Sequence, residues 1–243
     1  MHKLLARMGV ASLRASERLI AEGRVAVNGQ VVATPGAAVS PDDDITVDGR
    51  RVRSAPPTYR YVLLNKPYDI LSTARDEMGR PTVLDIVRSR ERLYPVGRLD
   101  RDSEGLMLLT NDGELTERLM HPRYGVHKQY RVTVEGFVSP QLLDRLRAGV
   151  PLEDGPSRPI SVRLLEKGPE TSTLLITLGE GRNRQVRRTL EALGLKVLRL
   201  VRVRLGPLEL DGLPTGAYRD LSPVEARRLR ESVGLKPLGA TRR

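Results

Sequence analysis

An α+β protein with a small domain ahead of a larger one is the architecture this sequence predicts. Strand-like and helix-like segments mix without regular alternation along the 243 residues. Several strand-like segments follow one another with no helix between, which favours a largely antiparallel or mixed central sheet with flanking helices. A charged, proline-containing stretch after residue 50 lacks any apolar period and divides two patterned regions. The expected boundaries are 1–50 for the small domain, 51–58 for a linker, 59–235 for the larger domain and 236–243 for a disordered basic tail.

The small domain reads as two helices plus β-hairpins. Leu4, Leu5 and Met8 have helical spacing, and Gly9 can end that helix. Ser12 offers an N-cap for a second helix running through Glu22, closed by Gly23. There Ala15 and Leu19 make one apolar line and Ser16 and Ile20 a neighbouring one, while Arg14 and Arg18 share another face. Residues 24–27 alternate as a strand, Asn28-Gly29 is a strong hairpin signal, and residues 30–32 return. Asp48-Gly49 marks a second hairpin after residues 45–47. Beyond the semi-stiff linker, strands are expected at 61–65, 94–96, 106–110, 129–135, 173–178 and 197–205. Helices are expected at 114–120, 140–147 and 184–193.

Lysine and arginine number 41 against 30 aspartates and glutamates, a formal net charge of +11 that points to a polyanionic partner, nucleic acid first. No apolar run approaches the ~20 residues of a spanning helix, and the N-terminal apolar stretch is too short for a signal peptide. A cytoplasmic protein without membrane contact is expected. With no cysteine there is neither a disulfide framework nor a thiolate metal site. His2, His121 and His127 lack zinc-ligand spacing, so neither metal nor cofactor is expected. Seven tyrosines, one phenylalanine and no tryptophan disfavour a sheet that stacks bases on several aromatics. RNA would be held mainly by backbone charge and shape.

Chemistry concentrates in Gly97-Arg98-Leu99-Asp100-Arg101-Asp102-Ser103-Glu104-Gly105, a charged loop between two apolar strands. Arg98 and Arg101 flank Asp100, and nearby cations favour an ionised carboxylate able to act as nucleophile or electrostatic stabiliser. Taken alone, the same residues read as a charged turn with a local ion pair. Tyr130, Val132 and Val134 alternate with Arg131 and Thr133, so Tyr130 leads the inward face of its strand. Residues 179–188 give a turn and a helix start, with Val186, Leu190 and Leu193 on one face and Arg184, Arg187, Arg188 and Glu191 on another. Cations massed at a helix start oppose its dipole, a local cost that anionic ligands could offset. Leu63-Leu64-Asn65-Lys66-Pro67 is a strand stopped by its proline.

Together Asn65-Lys66-Pro67, the 97–113 block, Lys128-Gln129-Tyr130 and residues 181–188 resemble the bacterial ribosomal RNA pseudouridine synthases of the RsuA/RluB type. The likeness extends to about residue 235. Leu152-Glu153-Asp154-Gly155 and residues 182–188 look most like the RluB branch, which favours large-subunit RNA. The N-terminal stretch from Leu4 to Ser12, with Arg14, Leu19-Ile20, Gly23-Arg24-Val25 and Val27-Asn28-Gly29, resembles the small RNA-binding module named after ribosomal protein S-four. Leu13 stands where that family usually has arginine, one phosphate contact fewer.

The resemblance implies that Asp100 is the catalytic aspartate and Arg98 helps displace the target base. It also implies that Tyr130 packs against the flipped uracil and that Arg187 pairs with Asp100. Lys3, Arg7, Arg14, Arg18, Arg24, Arg182, Arg184 and Arg188 are the expected RNA contacts. The implied partner is ribosomal RNA or a pre-ribosomal particle, met by a monomer. The reaction breaks C1′–N1, turns the uracil and rejoins it through C5. A single carboxylate suffices because no water is consumed. Two other readings stay open at this level. One is a non-catalytic RNA-binding or assembly factor, indifferent to Asp100. The other is an N-glycosidase in which Asp102 or Glu104 joins Asp100 as a carboxylate pair.

Overall fold

A computed structural model describes residues 1–34, 36–40, 43–52 and 58–237. The chain divides into two compact units, Met1–Tyr59 with Asn111–Gly113, and Arg60–Thr110 with Glu114–Arg243.

The first unit holds α1 (His2–Arg7), α2 (Leu13–Ala21), β1 (Val25–Val27), β2 (Gln30–Val31), β3 (Ile45–Val47) and β4 (Arg50–Arg51). Ser12 caps α2 as its position predicts, its Oγ accepting from the Ala15 N–H at 3.1 Å. Asn28 and Gly29 both take positive φ, 50° and 81°, the left-handed pair a two-residue hairpin of this hand demands. The strands order β2-β1-β3-β4. Met1, Leu5, Ile20, Val25 and Ile45 form the core, so the Ile20 line of α2 is the one that turns inward. Arg51, read from sequence as linker, is strand, and the Val52 N–H donates to the Ile45 carbonyl at 2.8 Å. Most of the remaining linker, residues 53–57, lies outside the described residues, as do residues 238–243 of the tail.

The second unit runs β5 (Tyr61–Lys66), α3 (Val83–Ile86), β6 (Tyr94–Pro95), β7 (Glu104–Thr110), α4 (Gly113–Met120), β8 (Lys128–Glu135), α5 (Pro140–Ala148), β9 (Ser161–Lys167), β10 (Thr171–Leu178), α6 (Gln185–Glu191), β11 (Val197–Leu205), β12 (Leu208–Glu209), β13 (Tyr218–Asp220) and α7 (Pro223–Glu231). Its sheet orders β13-β5-β7-β11-β8-β10-β9, with β12 on β11 and β6 on β7. Among the described strand–strand pairings of this sheet only β7–β11 is parallel. This is the mixed, mostly antiparallel sheet expected. Strands β5 and β7 are buried along nearly their whole length. Apolar residues such as Val62, Leu64, Met107, Val132, Leu174 and Leu190 fill the core.

Several elements escaped the sequence pattern, three of them for clear physical reasons. The α7 helix buries only Leu229 and Arg230, too little for an apolar period; its signal was the Ser222/Glu225 capping box. Strand β9 is mostly exposed and polar at the sheet edge. The α3 helix is a single turn with a Thr82/Asp85 capping box.

One transverse row of the sheet builds the site. Lys66 pairs with Gly105, Gly105 with Arg202, and Arg202 with Tyr130, across β5, β7, β11 and β8. Directly paired residues share a face of a sheet. Gly105 is required at this crossing. Its φ is +102°, and a Cβ there would collide with the Arg202 backbone.

Candidate active site

The loop between β6 and β7 carries Asp100, and it is held from two sides. The Ser72 Oγ accepts from the Leu99 N–H at 3.1 Å and donates to the Leu99 carbonyl at 2.6 Å, fixing the residue before Asp100. On the far side the Ser103 N–H donates to the Asp100 carbonyl at 3.0 Å, closing a turn. Beneath lies Lys66, whose side chain is completely buried. Its Nζ donates to the Ser103 carbonyl at 2.7 Å and the Pro67 carbonyl at 3.0 Å, with the Arg101 carbonyl at 3.5 Å. Burial pushes the Lys66 ammonium down to about 8, against the opposing pull of Asp102, Glu104, Asp100 and Asp69. The lysine is thus a plug that ties the loop's backbone to the end of β5.

Asp100 itself is half-buried. Its carboxylate makes no hydrogen bond or ion pair with another described residue. Arg98 is exposed two residues earlier, and Tyr130 is buried on β8. Across the same row Arg202 is buried, its Nε donating to the Leu106 carbonyl at 2.8 Å while its Nη2 finds no partner among the described residues. Burial lowers the Arg202 guanidinium, and the Tyr130 hydroxyl beside it opposes that shift. Lys128, at the start of β8, is pushed down by its own burial and then by the nearby Arg202 charge. Tyr130 therefore sits at a cationic, dry end of the sheet.

The arginine of α6 corrects an expectation. Arg187 was expected to pair with Asp100; it pairs with Asp102. Its Nη2 donates to the Asp102 carbonyl at 2.6 Å, and its Nε lies 3.3 Å from Asp102 Oδ2, close enough for an ion pair but not aligned for a hydrogen bond. Arg184 adds Nη1 at 3.2 Å from Oδ1 and 3.1 Å from Oδ2 of the same carboxylate. Both the backbone and the side chain of Asp102 face α6, so they engage the guanidinium that was assigned to Asp100.

The other expected phosphate ligands on this helix also have intramolecular partners. Asp154 takes Arg188 in a two-pronged pair at 3.0 and 2.8 Å, and Arg182 at 3.0 Å. Arg182 further donates to the carbonyls of Gly155 and Pro156 and to Glu180. The Arg188 guanidinium holds the Asp154 carboxyl below the usual carboxylate range. The cations crowding the start of α6 are thus neutralised by Asp102 and Asp154. Arg182, Arg184 and Arg188, expected to contact RNA, are already paired with carboxylates of the protein.

In the first unit Arg24 likewise forks onto Asp48, at 2.7 Å twice, and reaches Glu22 at 3.1 Å. Lys3 is exposed on α1, and Arg14 and Arg18 are exposed on α2, the last two with no hydrogen-bond or ion-pair partner among the described residues. Arg7 ends α1, and its side chain lies outside the described residues.

Sequence reasoning missed Ser72, Lys66 as an anchor, Arg202, and the clamp at Asp154. Arg202 had a readable sign: it shares strand parity with Leu200, an arginine on a buried face. Ser72 had none, because its partner lies elsewhere in the chain. Among the described residues no three His, Asp or Glu side chains form a metal-binding group, and no helix is long and apolar enough to cross a membrane.

Residues 60–192 match the family described as RNA pseudouridylate synthase, and residues 2–45 match the S4 domain. The ribosomal large subunit pseudouridine synthase B of Bacillus subtilis is 46% identical over 233 residues, 95% of each chain. A protein of the same name from Pseudomonas aeruginosa is 45% identical, over 98% of this chain and 63% of its own. An uncharacterized RNA pseudouridine synthase of Aquifex aeolicus is 44% identical over 100% of this chain and 98% of its own. A crystal structure of a pseudouridylate synthase superposes with a TM-score of 0.67 at 29% identity, covering 94% of this chain and 98% of that one.

Proposed function

The chain belongs to the RNA pseudouridylate synthase family and carries an S4 domain, and we propose that it isomerises a uridine of large-subunit ribosomal RNA. The names of the Bacillus and Pseudomonas relatives support that choice of subunit. The observation that carries the catalytic reading is the Asp100 carboxylate, firmly held by its backbone yet unbonded at its oxygens.

In the proposed reaction the target uridine leaves its stack at a cost of a few kcal/mol, with Arg98 entering the space it vacates. Asp100 attacks or stabilises C1′ as the C1′–N1 bond breaks. The uracil turns against Tyr130 and C1′ bonds to C5. A proton leaves C5 and N1 gains one, so substrate and product have equal mass. Arg187 contributes by keeping Asp102, and through it the loop, in place. Lys3, Arg7, Arg14 and Arg18 are the RNA contacts proposed on the S4 domain. The fitting surroundings are the cytoplasm and a ribosomal RNA or pre-ribosomal particle, with the protein acting as a monomer.

A glycosidase would need a second free carboxylate to activate water. Asp102 is taken by Arg184 and Arg187, and Glu104 by Arg199 at 3.0 and 2.7 Å. That arrangement favours isomerisation. Carbodiimide mapping of ribosomal RNA from cells with and without the protein tests the reading. One new reactive uridine, lost again with Asp100→Asn, is the expected result; an unchanged map, or release of free uracil, overturns it.

A further inference from the structure

One cleft of the second unit is lined by residues other than Asp100. It is a hollow of about 560 Å³, within the size range of small-ligand sites, lined by the 74–75 turn and by residues 84–93. Leu84, Val87 and Leu93 give it an apolar floor, and Arg75, Arg88 and Arg92 stand around it. All three arginines are exposed, and none has a carboxylate partner among the described residues. The one acidic residue on its wall, Glu91, is engaged elsewhere, accepting from Ser89 Oγ at 2.7 Å and Arg60 at 3.1 Å. This contrasts with Arg182, Arg184 and Arg188, whose charges are cancelled within the protein.

The cleft also adjoins the catalytic loop through the backbone. Ser72, which clamps Leu99 beside Asp100, lies three residues before Arg75, a reach of about 10 Å at most. We propose that this cleft docks one unpaired nucleotide of the substrate strand near the target uridine, its base on the apolar floor and its phosphates on Arg75, Arg88 and Arg92. The inference rests on the RNA isomerase reading and assigns the strand a second hold outside the uridine pocket. Base against apolar surface with cations along the backbone is the general mode of single-strand binding.

The test uses the full-length protein and a transcript of the large-subunit RNA region in which mapping finds the modified uridine. Arg75→Ala/Arg88→Ala/Arg92→Ala is compared with Arg145→Ala/Arg227→Ala/Arg228→Ala, an equal loss of charge from exposed positions on α5 and α7. Three lost single-strand phosphate contacts are expected to flatten the plot of log affinity against log salt by about 2. KM is expected to rise about tenfold or more, with the effect concentrated in KM, while the control triple keeps the parent slope. Ala74→Trp, which fills the cleft and removes no charge, is expected to raise KM as well. Equal slopes for the two triples, or an Ala74→Trp protein with parental KM, overturn the proposal. A parent protein that makes no pseudouridine would instead overturn the functional reading, so the two failures are distinguishable.

Discussion

The Asp100 loop and the first turn of α6 are both dense in charge, yet they use it in opposite ways. In the loop, backbone groups are bonded to Ser72, Lys66 and Ser103, while the Asp100 oxygens are left bare. At α6 every arginine expected to reach for RNA is held by a carboxylate, Asp102 or Asp154. Charge density therefore says little about availability. What matters is whether a neighbour has already met the group's demand, and Asp102 separates the two behaviours within two residues of Asp100.

That contrast can be broken in order of expected effect. Asp100→Asn removes the loop's unbonded carboxylate and is expected to lower turnover by about 10³-fold or more, roughly 4 kcal/mol of barrier. Since that carboxylate bonds to no other described residue, the melting temperature is expected to stay put. A marked drop in thermal stability would show that Asp100 has a structural partner.

Asp102→Ala is next. It strands the buried Arg187, and because Asp102 is itself about a third exposed, a loss of about 2–3 kcal/mol is expected in denaturant unfolding. Arg187→Ala is expected to act through the same contact, so the double variant loses little more than either single one. Additive losses would place Arg187 with another partner.

Lys66 gives a pH test of the loop's anchor. Its ammonium falls from 10.5 to about 8 on folding, so between those values the unfolded chain holds the extra proton. Unfolding free energy is then expected to rise with pH through that window relative to Lys66→Met. Activity is expected to move the other way above about pH 8, as the loop carbonyls lose a charged donor. Parallel stability curves for the two proteins would remove Lys66 from this role.

Asp154→Ala is the mildest change. Its pairs with Arg182 and Arg188 are partly exposed and screened by solvent, so unfolding curves are expected to change little. The freed arginines are expected to tighten RNA binding and steepen its salt dependence, measured by filter binding. Weaker binding would mean that the clamp shapes the RNA surface rather than masking it.

The legible and illegible parts of this molecule divide by distance along the chain. Ser12, Asn28-Gly29 and Asp48-Gly49 act on their immediate neighbours, and each forms the cap or hairpin its identity predicts. The Asp100 loop could be located because its residues are contiguous. Partner choice could not be read in the same way. Whether Arg187 meets Asp100 or Asp102 depends on the turn that Ser103 closes, and the Arg202 bond to the Leu106 carbonyl joins distant strands. The pairing of Arg182 and Arg188 with Asp154 was illegible for the same reason.

The parallel seam between β7 and β11, where Gly105 meets Arg202, has a consequence for how activity is acquired. Two strands far apart in the chain must dock before the segment bearing the carboxylate can settle onto its bed. Such remote pairing is slow to form, because a long loop must close before any contact rewards it. A nascent chain still missing β11 would hold every residue of the Asp100 loop and remain inert, so competence arrives late in synthesis.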